Sequence, residues 1–278
     1  VLATGSGLGG DIDIDVVEDF VLDQSFITVR TQGPGNGGIL ELAADRILLA
    51  NEANVVGRSV GAGNAGTVEL ASRQLVLDNA FITTDAWGSG NAGRVDIDVG
   101  DIDISNNSLI ASTVAGSGLG GTVDLVFDTL DLDGSTIEAR VLGSGAGGVI
   151  SFMGQTLNLT AEANVDVSAF DGGVLDVRQI GPDSTVLVDA ADGGGAGALV
   201  EIAVTDILVD NSTVEANVFG TGSGGSIEVV GQSLVLRNAA TLSSTAQGSG
   251  AGGYVLLEVA DVDITNATIT AEAISGGG

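Results

Sequence analysis

Five carboxylates recur along the chain at almost constant spacing: Asp13, Glu41, Glu69, Asp96 and Asp124, separated by 28, 28, 27 and 28 residues. Ser151 interrupts the series, Asp176, Glu201 and Glu228 resume it, and Leu256 ends it. If the repeat stacks these oxygens one above another, the column has two readings. It is a solvated face whose charge keeps molecules apart, or it is a weak Ca²⁺ or Mg²⁺ ladder of hard oxygen ligands. A second group, Asp171, Asp176, Arg178, Asp183, Asp189 and Asp192, crowds one irregular stretch. Paired carboxylates can hydrolyse glycosides, and an arginine beside them would hold an acidic sugar. A third pattern, "GSGLGG" at Gly5–Gly10, fits the G-x-G-x-x-G turn that cradles phosphates.

Composition narrows these options. The chain has no His and no Cys, which removes imidazole acid–base chemistry, thiol catalysis, His/Cys metal sites and disulfides. Against 37 Asp+Glu stand 8 Lys+Arg, all of them Arg, for a net charge of −29. Nucleic acid and anionic membrane surfaces need a basic face and are not expected partners. No apolar run approaches the roughly 18 residues of a membrane span, so membrane insertion is not expected either. Sugar-cleaving grooves are usually lined with aromatics, and 1 Trp, 1 Tyr and 7 Phe supply few. The expected cofactor set is therefore none, with weak Ca²⁺ as the one exception.

The glycine motif is not unique. Variants of it close at Gly10, Gly38, Gly66, Gly93, Gly121, Gly148, Gly173, Ala198, Gly225 and Gly253, which makes ten units of 25–28 residues. A dinucleotide fingerprint occurs once, after a strand, and opens a helix. Here the motif recurs and always precedes a strand-like run, so the glycines are read as corners that need positive φ or close backbone approach. The tandem nonapeptide of calcium β-rolls is not met, because glycine clusters come once per unit.

Within a unit the apolar period is two, the signature of strands. In the third unit "TVELA" turns Val68 and Leu70 inward, "QLVLD" turns Leu75 and Leu77 inward, and "AFITTDA" turns Ile82, Thr84 and Ala86 inward. Three short strands per unit follow, with corners at "SR", "DN" and the glycine loop. The same columns hold down the array, as in Ile27, Val55, Ile82, Ile110, Ile137 and Val165. Two positions before each of these stands only Ser or Ala (Ser25, Ala53, Ala80, Ser108, Ser135, Ala163), as a tight bend requires. Asn79, Asn107, Asn211, Asn238 and Asn266 mark the same corner and suggest partial amide ladders. Outward threonines on the third strand (Thr28, Thr83, Thr241, Thr268, Thr270) are interrupted by Arg30, Arg58, Arg140 and by Glu138, Asp166 and Glu215, so no flat hydroxyl array results.

Column identity of this kind means stacked coils. The expected fold is all-β: a right-handed parallel β-helix, ten coils with three short strands each, forming a single solenoid over residues 1–278. Units between about 148 and 198 are shortened and irregular. Both ends of the sequence stop in a glycine loop, so further coils of the same protein, or end-to-end copies, are the expected neighbours.

"GSGNAGRVDIDVGDIDISNNSLIAST" (Gly88–Thr113) and its sister units resemble the repeat region of large secreted exoproteins of the filamentous-haemagglutinin type, particularly those of cyanobacteria. The resemblance covers essentially the whole chain and is one of period and composition. It implies an extracellular or cell-surface location on a Gram-negative-type bacterium and a role as adhesin, matrix fibre or stalk, with surface glycans among the partners. No binding residue is carried over by it. The functional expectation is a non-enzymatic, rigid spacer or fibre segment. The alternatives are a polysaccharide-active enzyme using the Asp171–Asp192 region and a calcium-responsive surface module.

Overall fold

A computed structural model of the chain describes residues 1–143, 145, 147–160, 164–166, 174–177, 185–190, 199–203, 206–210, 213–220, 225–248 and 252–274. Among the described residues there is no helix, and every pairing between strands is parallel. The molecule is a β-solenoid with two long parallel sheets.

One sheet has eleven strands, stacked in the order β1 (Leu2–Ala3), β4 (Phe26–Thr31), β6 (Asn54–Ser59), β8 (Phe81–Thr83), β10 (Leu109–Ala111), β12 (Thr136–Glu138), β14 (Asn164–Asp166), β16 (Thr185–Ala190), β19 (Thr213–Gly220), β21 (Thr241–Gly248) and β23 (Thr268–Ile274). The other is built mainly from 12-residue strands: β5 (Ile39–Ala50), β7 (Thr67–Asp78), β9 (Arg94–Ser105), β11 (Thr122–Asp133), β13 (Val149–Thr160), β20 (Ser226–Arg237) and β22 (Tyr254–Thr265). Its remaining levels are split or shorter: β2 (Ile12–Asp15) with β3 (Asp19–Asp23), β15 (Val174–Val177), and β17 (Leu199–Ala203) with β18 (Asp206–Asp210).

The first two expected strands of each unit are therefore usually one. The corner foreseen at Ser72–Arg73 exists, but the strand runs through it. One level below, in β5, Leu40 and Leu42 point inward, Asp45 and Arg46 both face outward, and Ile47 and Leu49 return to the core. Ladder pairing skips a single position there, between Ala44↔Ser72 and Arg46↔Gln74. One residue out of phase bends the strand without ending it, as a bulge does.

Elsewhere the inward columns are as the periodicity requires. Leu40, Val68, Val95, Val123 and Ile150 stack on one another fully buried, as do Val55, Ile82, Ile110, Ile137 and Val165. Aliphatic side chains of similar shape fit a rung spacing of about 4.8 Å without voids. The exception is a pair of rings, Phe127 and Phe152, which meet edge to face with centroids 6.3 Å apart. Gly154 sits against Phe127, where a Cβ would overlap the ring.

The corners differ from one another. In the glycine loops the backbone of one level lies directly on the next. A Cβ on Gly118 would overlap the carbonyl oxygen of Gly90, and one on Gly90 would overlap that of Gly63. None of the described loop glycines has positive φ. That conformation belongs to the opposite corner, at Asn51 (φ 53°), Asn79 (51°), Asn107 (60°), Asn238 (57°) and Asn266 (50°). Asn tolerates the left-handed region better than most residues. At that corner Asn51 and Asn106 donate to Asp23 and Asp78 of the level below at 2.8 and 2.7 Å, an amide-on-carboxylate ladder. Of that series, Asn211 lies outside the described residues. An Asn ladder does exist inside the glycine loops. The Oδ1 atoms of Asn36, Asn64 and Asn91 accept from the backbone N–H of Asn64, Asn91 and Leu119 at 3.1, 3.0 and 2.8 Å.

Candidate functional site

Strand register brings the acidic column together. Asp13 pairs with Glu41, Glu41 with Glu69, Glu69 with Asp96 and Asp96 with Asp124. Asp124 then pairs with Ser151, Ser151 with Asp176, Asp176 with Glu201, Glu201 with Glu228, and Glu228 with Leu256. Alternation along the strand makes Asp13, Glu41, Glu69, Asp96 and Asp124 outward positions, so sequence spacing alone was enough to find them.

The column's surroundings were not legible in the spacing. Two residues further along each strand stand Asp15, Ala43, Ala71, Asp98 and Val126. The two alanines form a low floor, and with Asp15, Asp98, Val126 and the carboxylates from Asp13 to Asp96 they line a groove of about 390 Å³. At the upper levels of the column Arg94 sets its guanidinium 2.8 Å from Asp96 and 3.1 Å from Asp124. Burial raises the pKa of the Asp124 carboxyl, Arg94 pulls it back, and Asp96 pushes it up. One arginine thus neutralises part of a two-level carboxylate pair that would otherwise repel at rung distance.

For the cation expectation the arrangement is linear. Among the described residues no group of three or more carboxylates converges to hold a metal ion. Ca²⁺ takes six to eight oxygens around one point, whereas this column spreads its oxygens along a rod. The Asp171–Asp192 group is only partly visible. Asp176 lies in β15 as a member of the acidic column, and Asp189 lies in β16 of the other sheet. Asp171, Arg178, Asp183 and Asp192 are outside the described residues.

Two further clusters were missed. On the second half of the long strands Asp103 pairs with Asp131. Partial burial raises the Asp103 pKa first, with Asp131, Asp133 and Asp78 adding to the effect. The signal was present in "DIDIS" and "TLDLD", where Asp103 and Asp131 fall in one column.

The other cluster lies on the short-strand sheet. Arg30 pairs with Arg58, and the isolated bridges Ser59↔Ala86, Ala86↔Val114 and Val114↔Val141 continue that register, setting Asp85, Thr113 and Arg140 in the same column. Arg58 reaches Asp85 at 3.2 Å, and its guanidinium lies 4.4 Å from the centre of the Trp87 ring. Asp85 and Thr83 are outward by phase, as alternation requires, yet each is only 8% exposed. Burial raises the Asp85 pKa, and Arg58 opposes the rise. Two levels up, Glu138 takes a hydrogen bond from Thr113 at 3.1 Å and pairs with Arg140 at 3.5 Å. The hydroxyl column is mixed, running Thr28, Val56, Thr83, Ala111, Glu138.

Comparison with family models, with curated proteins and with solved structures returns no match to this chain.

Proposed function

We propose that the chain is a non-enzymatic structural segment: a rigid β-solenoid spacer or fibre element of a secreted or cell-surface protein. The observation that carries this reading is the continuous parallel pairing of the described strands, from β1 to β23 in one sheet and, through the first halves of the long strands, from β2 to β22 in the other. Each level hydrogen-bonds to the next through its backbone and, in the early coils, through the loop Asn ladder, so bending the rod strains many bonds at once. Its outward carboxylates supply solubility and discourage edge-to-edge sticking. The resemblance of the units to filamentous-haemagglutinin-type repeats supports placing the rod outside the cell, in an adhesin, matrix fibre or stalk.

Imaging and an activity screen together test the reading. Atomic-force or electron microscopy of the purified chain should show stiff rods, about 48 Å long for ten units at roughly 4.8 Å per level. A panel of acidic and neutral polysaccharides should be left intact. Globular or freely bending particles, or glycan turnover that is lost in Asp176→Ala, would overturn the structural reading.

A further inference from the structure

The short-strand sheet holds an arrangement that a passive spacer does not need. Arg30, Arg58 and Arg140, three of the eight arginines of a chain with net charge −29, stand in one column. Arg58 is held between Asp85 and the Trp87 ring. Arg30, one rung below it, makes no ion pair among the described residues, and its buried Nε has no hydrogen-bond partner. Two arginines one rung apart thus stand beside a single carboxylate that pairs with Arg58 alone, which leaves excess positive charge beside the chain's single tryptophan. That tryptophan is 56% exposed. Trp and Arg are among the residues that most often dominate protein interfaces.

We propose that Trp87, Arg58 and Arg30 form a knob that seats in the acidic groove of a second copy of this chain. In the groove Glu41 and Glu69 stand one rung apart above the alanine floor of Ala43 and Ala71. Arg30 and Arg58 stand one rung apart on the other sheet. A second copy matches that period by construction, because both ladders belong to the same solenoid. Arg30 and Arg58 meet two successive carboxylates, and Trp87 lies over the small floor residues. Each contact also removes a like-charge repulsion within the column.

Knob and groove lie on different sheets, so the contact is heterologous and leaves one of each free on every pair. Such contacts build open lateral assemblies instead of closed dimers. The patch spans three levels and is smaller than the roughly 800 Å² per partner of a stable complex. Association is therefore weak and concentration-dependent. It is strongest at intermediate salt, where the overall repulsion is screened but the contact pairs survive. The contact depends on the folded surface alone, so its failure leaves the spacer reading standing.

Sedimentation velocity of the 278-residue chain, from micromolar to millimolar concentration at low, physiological and high salt, tests it. The wild type should show species that grow with concentration. Trp87→Ala and Arg30→Glu in the knob, and Glu69→Arg in the groove, should each weaken association at least tenfold while leaving the circular dichroism spectrum unchanged. Trp87→Phe, which keeps a ring, should fall between. An equimolar mixture of Arg30→Glu and Glu69→Arg should stop at dimers, because each copy then offers one intact half. A wild type that stays monomeric throughout overturns the proposal, as does association indifferent to Trp87→Ala. So does a monomer that instead takes up dextran sulfate through Arg30, since the stripe then serves a polyanion and not a second copy.

Discussion

The two sheets use one rung spacing with opposite electrostatic results. On the long-strand sheet Asp13, Glu41, Glu69, Asp96 and Asp124 stack like on like, relieved only by Arg94 among the described residues. On the short-strand sheet Arg58 meets Asp85 across a level, and Arg140 meets Glu138 beside it. A parallel ladder in register multiplies whatever it is given. A like-charge column adds repulsion at every rung, and an opposite-charge pair such as Arg58 and Asp85 adds attraction. The backbone ladder must carry the first face, while side chains help to carry the second.

The largest effect should come from breaking the frame that both faces share. In Gly118→Ala the new Cβ meets a backbone carbonyl that cannot move aside, so overpacking should cost about 3 kcal/mol, measured by urea unfolding. Both faces should loosen together, and an isolated loss on one face would contradict the shared frame. Arg58→Ala acts on the mixed face alone. It leaves Asp85 buried without its cation and should cost about 2 kcal/mol, with little gain from added salt.

Acid should separate this molecule from proteins held by well-paired carboxylates. The pKa values of Asp85, Asp103 and Asp124 are all raised in the fold, burial being the first cause in each. Between the ordinary Asp value of about 3.9 and those raised values, the folded chain binds more protons than the unfolded one. Their contribution to stability therefore grows as pH falls through that window and is lost as pH rises. The melting temperature should climb on mild acidification from neutral pH. A steady fall from about pH 7 downward would mean that favourable pairs outweigh them.

The smallest effects lie on the acidic face itself. Raising NaCl from low to physiological strength should raise the melting temperature by a few degrees through screening. Glu41→Gln, which removes a charge between two like neighbours, should stabilise by up to about 1 kcal/mol at low salt and by nothing measurable at high salt. Millimolar Ca²⁺ should act as a generic screening ion of higher valence if the column remains linear. A saturable, Ca²⁺-specific rise would show that the oxygens rearrange around a bound ion.

Much of this architecture is present in one dimension. Period-two alternation sorted Leu40 from Glu41 and Val68 from Glu69, and the 25–28-residue spacing placed each above its equivalent. In a parallel solenoid contacts are between equivalent positions, so sequence period and spatial column are the same thing. The acidic ladder was legible for that reason. The strand count was less so: Asp45 and Arg46 break the alternation in a way that looks like an end, whereas hydrogen bonding through Ala44 and Arg46 keeps the strand whole. The glycines' purpose was also open, since positive φ and close approach select the same residue.

The amino-acid sequence by itself determined the stacking, the inward columns and the face that carries the carboxylates, because those depend only on residue type at a fixed period. The tertiary structure alone decided what lies across and between the columns. It set Arg94 over Asp96 and Asp124, made a groove floor of Ala43 and Ala71, and buried Asp85 under an arginine stacked on Trp87. These contacts depend on side-chain reach and on the bend at each corner, neither of which a repeat period contains.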